Sequence, residues 1–255
     1  MEPYEKEDFQ YSLVELSEVD STNAYLFDLY HKQQIVSDLM TVSAKYQSKG
    51  RGQRTSQGWE SNWGENLLFS FLINPRPIAI RDQFVLSQMV ALAVKEELDT
   101  FDDGFRIKWP NDIYWHDKKI AGILIETELE GAVFEVAVVG IGLNLHQRFF
   151  NSDAPNPISL KQITDRAINQ NEILNHILIR FRTDYDAYVK TYDSEAIMQR
   201  YMKDLYRLNE MATYIDDKGA FQGKIVDVDK QGFLLIEDDQ SCTRRYAFKE
   251  VKYKI

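Results

Sequence analysis

Apolar positions along this chain follow two periods. Residues 13–19, 40–46 and 67–73 carry apolar or alternating runs of strand length, bounded by polar turn residues. Between the first two runs, Asp20-Ser21-Thr22-Asn23 supplies a helix N-cap signal, and a helix is expected over 24–33. Phe84, Val85, Met89, Leu92 and Ala93 share one face of a helical repeat, which predicts a helix over 82–98. A strand over 105–109 enters a Pro-Asn-Asp turn. A hairpin follows, with 113–115 and 120–128 as its arms and His116-Asp117-Lys118 as its turn. Residues 133–143 form a further, strongly apolar strand. The stretch 159–206 is mainly helical, with Ile173, Ile177, Phe181 and Tyr185 at helical spacing.

The pattern changes at Met211. From there to Ile255, short alternating runs are broken by Asp216-Asp217-Lys218-Gly219, Asp229-Lys230-Gln231-Gly232 and Glu237-Asp238-Asp239-Gln240. Turn signals at this spacing predict a small all-β module of about five strands. The expected division is a larger unit over 1–207 and a small β domain over 208–255. Strands joined by hairpins argue for an α+β chain with a mixed, mainly antiparallel sheet, rather than a doubly wound parallel one.

Composition limits compartment and partners. Hydrophobic residues make up 44% and charged residues 27%, ordinary values for a globular protein that buries a sizeable core. The single cysteine, Cys242, rules out an intrachain disulfide. The acidic start has no apolar h-region, and no apolar run reaches membrane-span length, so a cytoplasmic location with no membrane contact is expected. Net charge is -10. Local cationic clusters on so acidic a chain point to a small phosphorylated ligand more than to a nucleic-acid surface.

Those clusters lie in two segments. Residues 47–64 form a long polar loop with four glycines and no hydrophobic period, the type of loop that carries function. Within it, Gly50-Arg51-Gly52-Gln53-Arg54 brings backbone amides and two guanidiniums together. Glycine permits close approach and arginine clamps an oxyanion with paired donors. The bland reading is a solvated basic loop, and the segment is not a Walker loop. In the second segment, Lys108 ends a strand and Pro110 fixes the chain direction, so that Asn111 and Asp112 reach over a sheet end. An ordinary turn between strands would look similar. Lys118 and Lys119 then precede Ile120-Ala121-Gly122-Ile123-Leu124, where Gly122 inside an apolar run suggests close approach of a ligand or backbone. Gly140-Ile141-Gly142-Leu143-Asn144 lacks the third glycine of a dinucleotide fingerprint, yet Asn144 at the strand end has the chemistry to read a base edge. His31, His116, His146 and His176 show no metal-ligand spacing. No side-chain metal site is predicted.

Taken in order, these segments resemble the biotin–protein ligases. The matching pieces are Asp20-Ser21-Thr22-Asn23, Tyr46-Gln47, the Gly50–Arg54 stretch, Trp59-Glu60-Ser61, Asn66-Leu67, Lys108-Trp109-Pro110-Asn111-Asp112, Lys119 to Leu124, and Gly140 to Asn144. They cover about residues 10–205, and the terminal β module is similar to that family's C-terminal domain. The family usually places another glycine after Gly-Arg-Gly-x-Arg, whereas this chain continues Thr55-Ser56-Gln57-Gly58.

The resemblance implies a catalytic domain like that of class II aminoacyl-tRNA synthetases, followed by a small C-terminal β-barrel-like domain. It implies ATP and biotin as substrates with Mg2+, a biotinyl-AMP intermediate, and transfer to a lysine of a biotin carboxyl carrier protein. By motif match, Arg51, Arg54 and Lys119 would stabilise phosphoryl charge, with Asp112 orienting the incoming lysine or accepting its proton. Biotin would meet Ser21, Thr22, Gln47, Gly50, Arg51, Lys119, Gly122 and Leu124. The nucleotide would meet Arg51, Arg54, Trp59, Lys108, Asn111, Lys119 and Asn144. With only about a dozen residues before the first strand, specific DNA binding is not expected, and a homodimer stays open. Two alternatives remain: a lipoate or octanoate ligase or transferase of related fold, and a non-enzymatic nucleotide or carrier-binding module.

Overall fold

The computed structural model describes residues 11–32, 37–52, 58–151 and 156–255. Arg54 and Gln53, two of the expected loop residues, lie outside them. The first strand, β1 (Leu13–Val19), leads into α1 (Thr22–His31). Ser21 is the N-cap of α1 and its hydroxyl accepts from the Ala24 amide at 3.5 Å, so the helix begins two residues earlier than its apolar spacing indicates. Strands β2 (Thr41–Gln47) and β3 (Leu67–Ile73) follow, then α2 (Phe84–Leu98), preceded by a 3-10 turn at Ile80–Asp82. Next come β4 (Phe105–Lys108), β5 (Asp112–Trp115), β6 (Lys118–Glu130) and β7 (Val133–Leu143). The helical stretch resolves into α3 (Leu160–Ile163), α4 (Gln170–Thr191) and α5 (Ser194–Lys203). The chain ends in β8 (Met211–Asp216), β9 (Gly219–Val228), β10 (Leu234–Asp238), β11 (Thr243–Tyr246) and β12 (Lys252–Tyr253).

Seven strands form one sheet in the order β1-β2-β3-β7-β6-β5-β4. Only β1 and β2, joined through α1, run parallel; the other pairs are antiparallel, as hairpin connections require. The two faces of this sheet carry different work. Phe69, Phe71, Val139 and Ile141 pack with Met89 and Leu92 of α2 and Ile177 and Phe181 of α4 in the main core. Alternation along the same strands sends Leu72, Val136 and Val138 to the other face, where they meet Leu26 of α1. That second cluster is small, and it leaves the rest of this face open for a cleft.

The terminal module is a second antiparallel sheet, ordered β11-β10-β9-β8-β12. Its end strands β11 and β12 share no ladder among the described residues. It is fastened to the larger sheet. Trp109 Nε1 donates to the Gly232 carbonyl at 2.9 Å, and Gly232, at φ +88°, lies so close to Phe84 that a Cβ would meet its ring at 2.7 Å. The main core runs on through Tyr214, Ile225, Leu234 and Ile236 of the module.

Within the module, Arg244 bridges two buried carboxylates, Asp238 at 2.9 Å and Asp216 at 3.2 Å. Hydrogen bonds from the Cys242 amide and from Arg244 lower the Asp238 pKa. Burial of Asp216 opposes ionisation, yet bonds from Tyr246, Lys218 and Arg244 win and lower its pKa too. Folded-state values below the unfolded value of about 4 mean that this stabilisation is complete above pH 4 and lost as pH falls through the folded values. Urea midpoints measured from pH 7 to pH 2.5 should therefore decline below about pH 4, and Arg244→Leu should flatten that decline. A parent midpoint constant to pH 2.5 would contradict the assignment.

Candidate active site

A cleft of about 780 Å3 lies on the open face of the large sheet, against the edge of the terminal module. It gathers Ser21, Thr22, Gln47, Arg51, Trp59, Lys108, Asn111, Asp112, Lys119, Gly122, Leu124 and Asn144 from segments far apart in sequence. Gly50 stands just behind the lining. Its carbonyl accepts from the Trp59 amide at 3.0 Å, and an isolated bridge joins Arg51 to Gly58, so the polar loop folds back on itself and returns Trp59 to the cleft.

One end of the cleft is polar and tightly bonded. Gln47 Oε1 accepts from the Thr22 amide at 2.8 Å and from its hydroxyl at 3.1 Å. The Thr22 and Ser70 hydroxyls lie 2.6 Å apart, and Ser70 Oγ donates to Asn23 Oδ1 at 2.5 Å. Asn23 Nδ2 donates onward to Glu126 at 2.8 Å. With Gln47 Oε1 accepting, its amide N–H donors remain for other groups. Sequence reading named Thr22 and Gln47 but missed Asn23, Ser70 and Glu126. The signal was present: Asn23 lies three residues before buried Leu26, on the helix face turned to the sheet, where a polar residue needs partners.

The middle of the cleft is a floor without side chains. Gly122 of β6 and Gly142 of β7 are register partners, directly opposite each other. The Trp59 indole lies on both: a Cβ would come within 2.5 Å of the indole at Gly142 and 2.9 Å at Gly122. The sequence assigned Gly122 to biotin and Trp59 to the nucleotide. In the structure the indole itself lies on Gly122, because a large flat apolar side chain is buried best against a strand surface without Cβ atoms.

The cationic groups follow. Lys119 Nζ lies 5.6 Å from the Trp59 ring and pairs with Asp112 Oδ1 at 2.6 Å. Asp112 is thus paired with the lysine beside it. Arg51 is half-exposed and pairs with Glu126 at 3.5 Å. The Trp109–Pro110 peptide bond is cis. Past it, Asn111 donates its side-chain amide to the Ile123 carbonyl and accepts from the Ile123 amide on its backbone oxygen at 3.0 Å. Asn144 is buried, and its Nδ2 donates to the Ile158 carbonyl at 3.1 Å. Both asparagines line the cleft, and each donates one bond to a neighbouring main-chain carbonyl, while the NH2 group of each carries a second N–H. Asn144 Oδ1 is buried with no partner among the described residues, which leaves an acceptor at this position. The module adds Phe248, Lys249, Lys252 and Tyr253, none of which motif spacing indicated.

A family model for the biotin/lipoate A/B protein ligases matches residues 16–144, the segment that supplies the polar end, the loop, the glycine floor and Lys119. The chain belongs to that family. It is 32% identical over 243 residues to the bifunctional ligase/repressor BirA of Escherichia coli, covering 89% of this chain and 70% of that protein. It is 28% identical to a biotin–[acetyl-CoA-carboxylase] ligase of Paracoccus denitrificans, over 87% of this chain and 92% of the relative. The chain spans 64% of the length of two Bacillus BirA relatives. Among solved structures, a biotin protein ligase from Aquifex aeolicus in complex with biotin and ATP superposes with a TM-score of 0.77 at 28% identity, covering 95% of this chain and 99% of that one. The ligase family's mixed, mainly antiparallel sheet with helices is thus the fold found here. Among the described residues, no helix is long and apolar enough to cross a membrane.

Proposed function

We propose that this protein joins biotin to a lysine of a biotin carboxyl carrier protein, by way of biotinyl-AMP. One observation carries the reading: a hydrogen-bonding pocket, an apolar surface made by the Trp59 indole over the Gly122–Gly142 pair, and a lysine lie along one cleft. That is the order of ureido head, rings and carboxylate in biotin. In the first half-reaction a biotin carboxylate oxygen attacks the α-phosphorus of MgATP. An O–P bond forms, the bond to the β-phosphate breaks, and pyrophosphate leaves with its magnesium. Lys119 stands where the carboxylate and α-phosphate would meet, and its charge offsets the negative charge building on the phosphoryl oxygens. Arg51 adds a second cation once its weak pairing with Glu126 is exchanged for an anion, and Arg54 is proposed to act with it. In the second half-reaction a neutral carrier lysine attacks the acyl carbon, the N–C bond forms, the acyl–O bond to AMP breaks with its electron pair leaving on the phosphate, and the proton lost by the amine passes to water. Asp112 contributes to both steps by holding Lys119 in place. We also propose that residues 1–207 form the catalytic unit and 208–255 a module that completes the nucleotide end.

The family includes lipoate enzymes, and the polar end of the cleft separates the substrates. Gln47, Thr22 and Ser21 suit a ureido group; an alkyl or dithiolane terminus would leave the Gln47 amide N–H donors without an acceptor, which discriminates against it. Exchange of labelled pyrophosphate into ATP should require biotin and magnesium, and the small-molecule product should have the mass of biotinyl-AMP. Exchange stimulated by lipoate or octanoate but not by biotin would overturn the assignment. Gln47→Leu should raise the KM for biotin by about 10- to 100-fold, the cost of removing partners from a buried polar group. Equal biotin affinity for parent and variant by calorimetry would remove Gln47 from the head pocket.

A further inference from the structure

Lys108 ends β4 at the side of the cleft next to the terminal module. Its ammonium stands between two aromatic faces, 5.0 Å from the Tyr114 ring of β5 and 4.4 Å from the Tyr253 ring of β12. Tyr253 comes from the second sheet, across the junction. Its ring is fixed by two other tyrosines, tilted against Tyr206 at 6.2 Å and edge-on to Tyr214 at 5.3 Å. Lys108, Tyr114 and Tyr253 all line the cleft.

An aromatic face attracts an ammonium through its quadrupole without adding a negative charge to the site. Lysine also has a long flexible stem, so a cage limits the positions its charge can take. We propose that Tyr253 is a positioning residue for the nucleotide: from the terminal module it holds the Lys108 ammonium at the cleft, for contact with the phosphates of MgATP. The inference rests on reading the cleft as an adenylating site. It gives the module a part in nucleotide binding that its distance in sequence from the ligase motifs conceals.

Calorimetric titrations of MgATP and, separately, biotin into the full chain test it. Tyr253→Leu should weaken MgATP binding about tenfold and leave biotin affinity unchanged, while Tyr253→Phe should match the parent. In a Lys108→Met background, Tyr253→Leu should cause no further loss, because Tyr253 acts through the lysine. Phenylalanines of increasing fluorination at position 253 keep the shape while weakening the quadrupole, so they serve even if the leucine variant does not fold. MgATP affinity should fall stepwise along that series. A series without trend, a Phe variant as weak as Leu, a parallel loss of biotin affinity, or additive losses with Lys108→Met would each overturn the proposal. A parent that binds MgATP with the fluorine trend but does not bind biotin would sink the biotin reading and leave this one standing.

Discussion

Lys119→Ala should lose most biotin-dependent pyrophosphate exchange, on the order of 100-fold, the usual cost of deleting a preorganised charge aimed at a developing oxyanion. The fold should survive. Lys119 is about one-third exposed on its side chain, and its main-chain bonds, N–H to the Asn156 carbonyl and C=O from the Ile158 amide, do not need the ammonium. The substitution also leaves Asp112 without its partner at 2.6 Å, adding a negative charge where phosphates must bind. Asp112→Asn separates the two effects: the cation stays but is less firmly aimed, so exchange should fall by less, roughly tenfold. Near-parental exchange by a folded Lys119→Ala protein would exclude Lys119 from the chemistry. A larger loss in Asp112→Asn than in Lys119→Ala would make Asp112 the principal group.

Gly142→Val should be nearly as damaging, for a steric reason. Valine suits a strand, and Gly142 pairs with Leu68 on one side and Gly122 on the other through backbone bonds that the change leaves intact. The first added carbon, however, would come within 2.5 Å of the Trp59 indole. The indole must leave the floor, and its contact with Lys119 goes with it. Misplacement by about 1 Å can cost on the order of 100-fold, and exchange should fall to that extent while far-ultraviolet circular dichroism stays unchanged. If the clash is the cause, Trp59→Ala should cost much less in the Gly142→Val background than in the parent. Independent, multiplying losses would show that the glycine serves something other than the indole.

The sequence by itself determined the elements and their class. Apolar periodicity marked the strand Val133–Leu143 to the residue and located five strands after Met211, because burial on one face leaves a period that neighbouring residues report. Motif order in turn indicated which segments converge. The larger helices were legible for the same reason, though the start of α1 was set by the Ser21 cap rather than by its first apolar residue. Tertiary structure decided which groups are committed to one another. Asp112 precedes Lys119 by a hairpin, and only the register and bulge between β5 and β6 bring their charges together. Trp59 reaches the glycine floor because its loop closes on Gly50, and Asn144 turns its amide to Ile158 because β7 ends there. Tyr253, near the end of the last strand, meets Lys108 across two sheets. A periodic pattern records whether a position faces the core or water, and it depends on near neighbours alone. Contacts between side chains more than a hundred residues or only a turn apart depend on how elements pack, and that information is spread over every residue of the shared core.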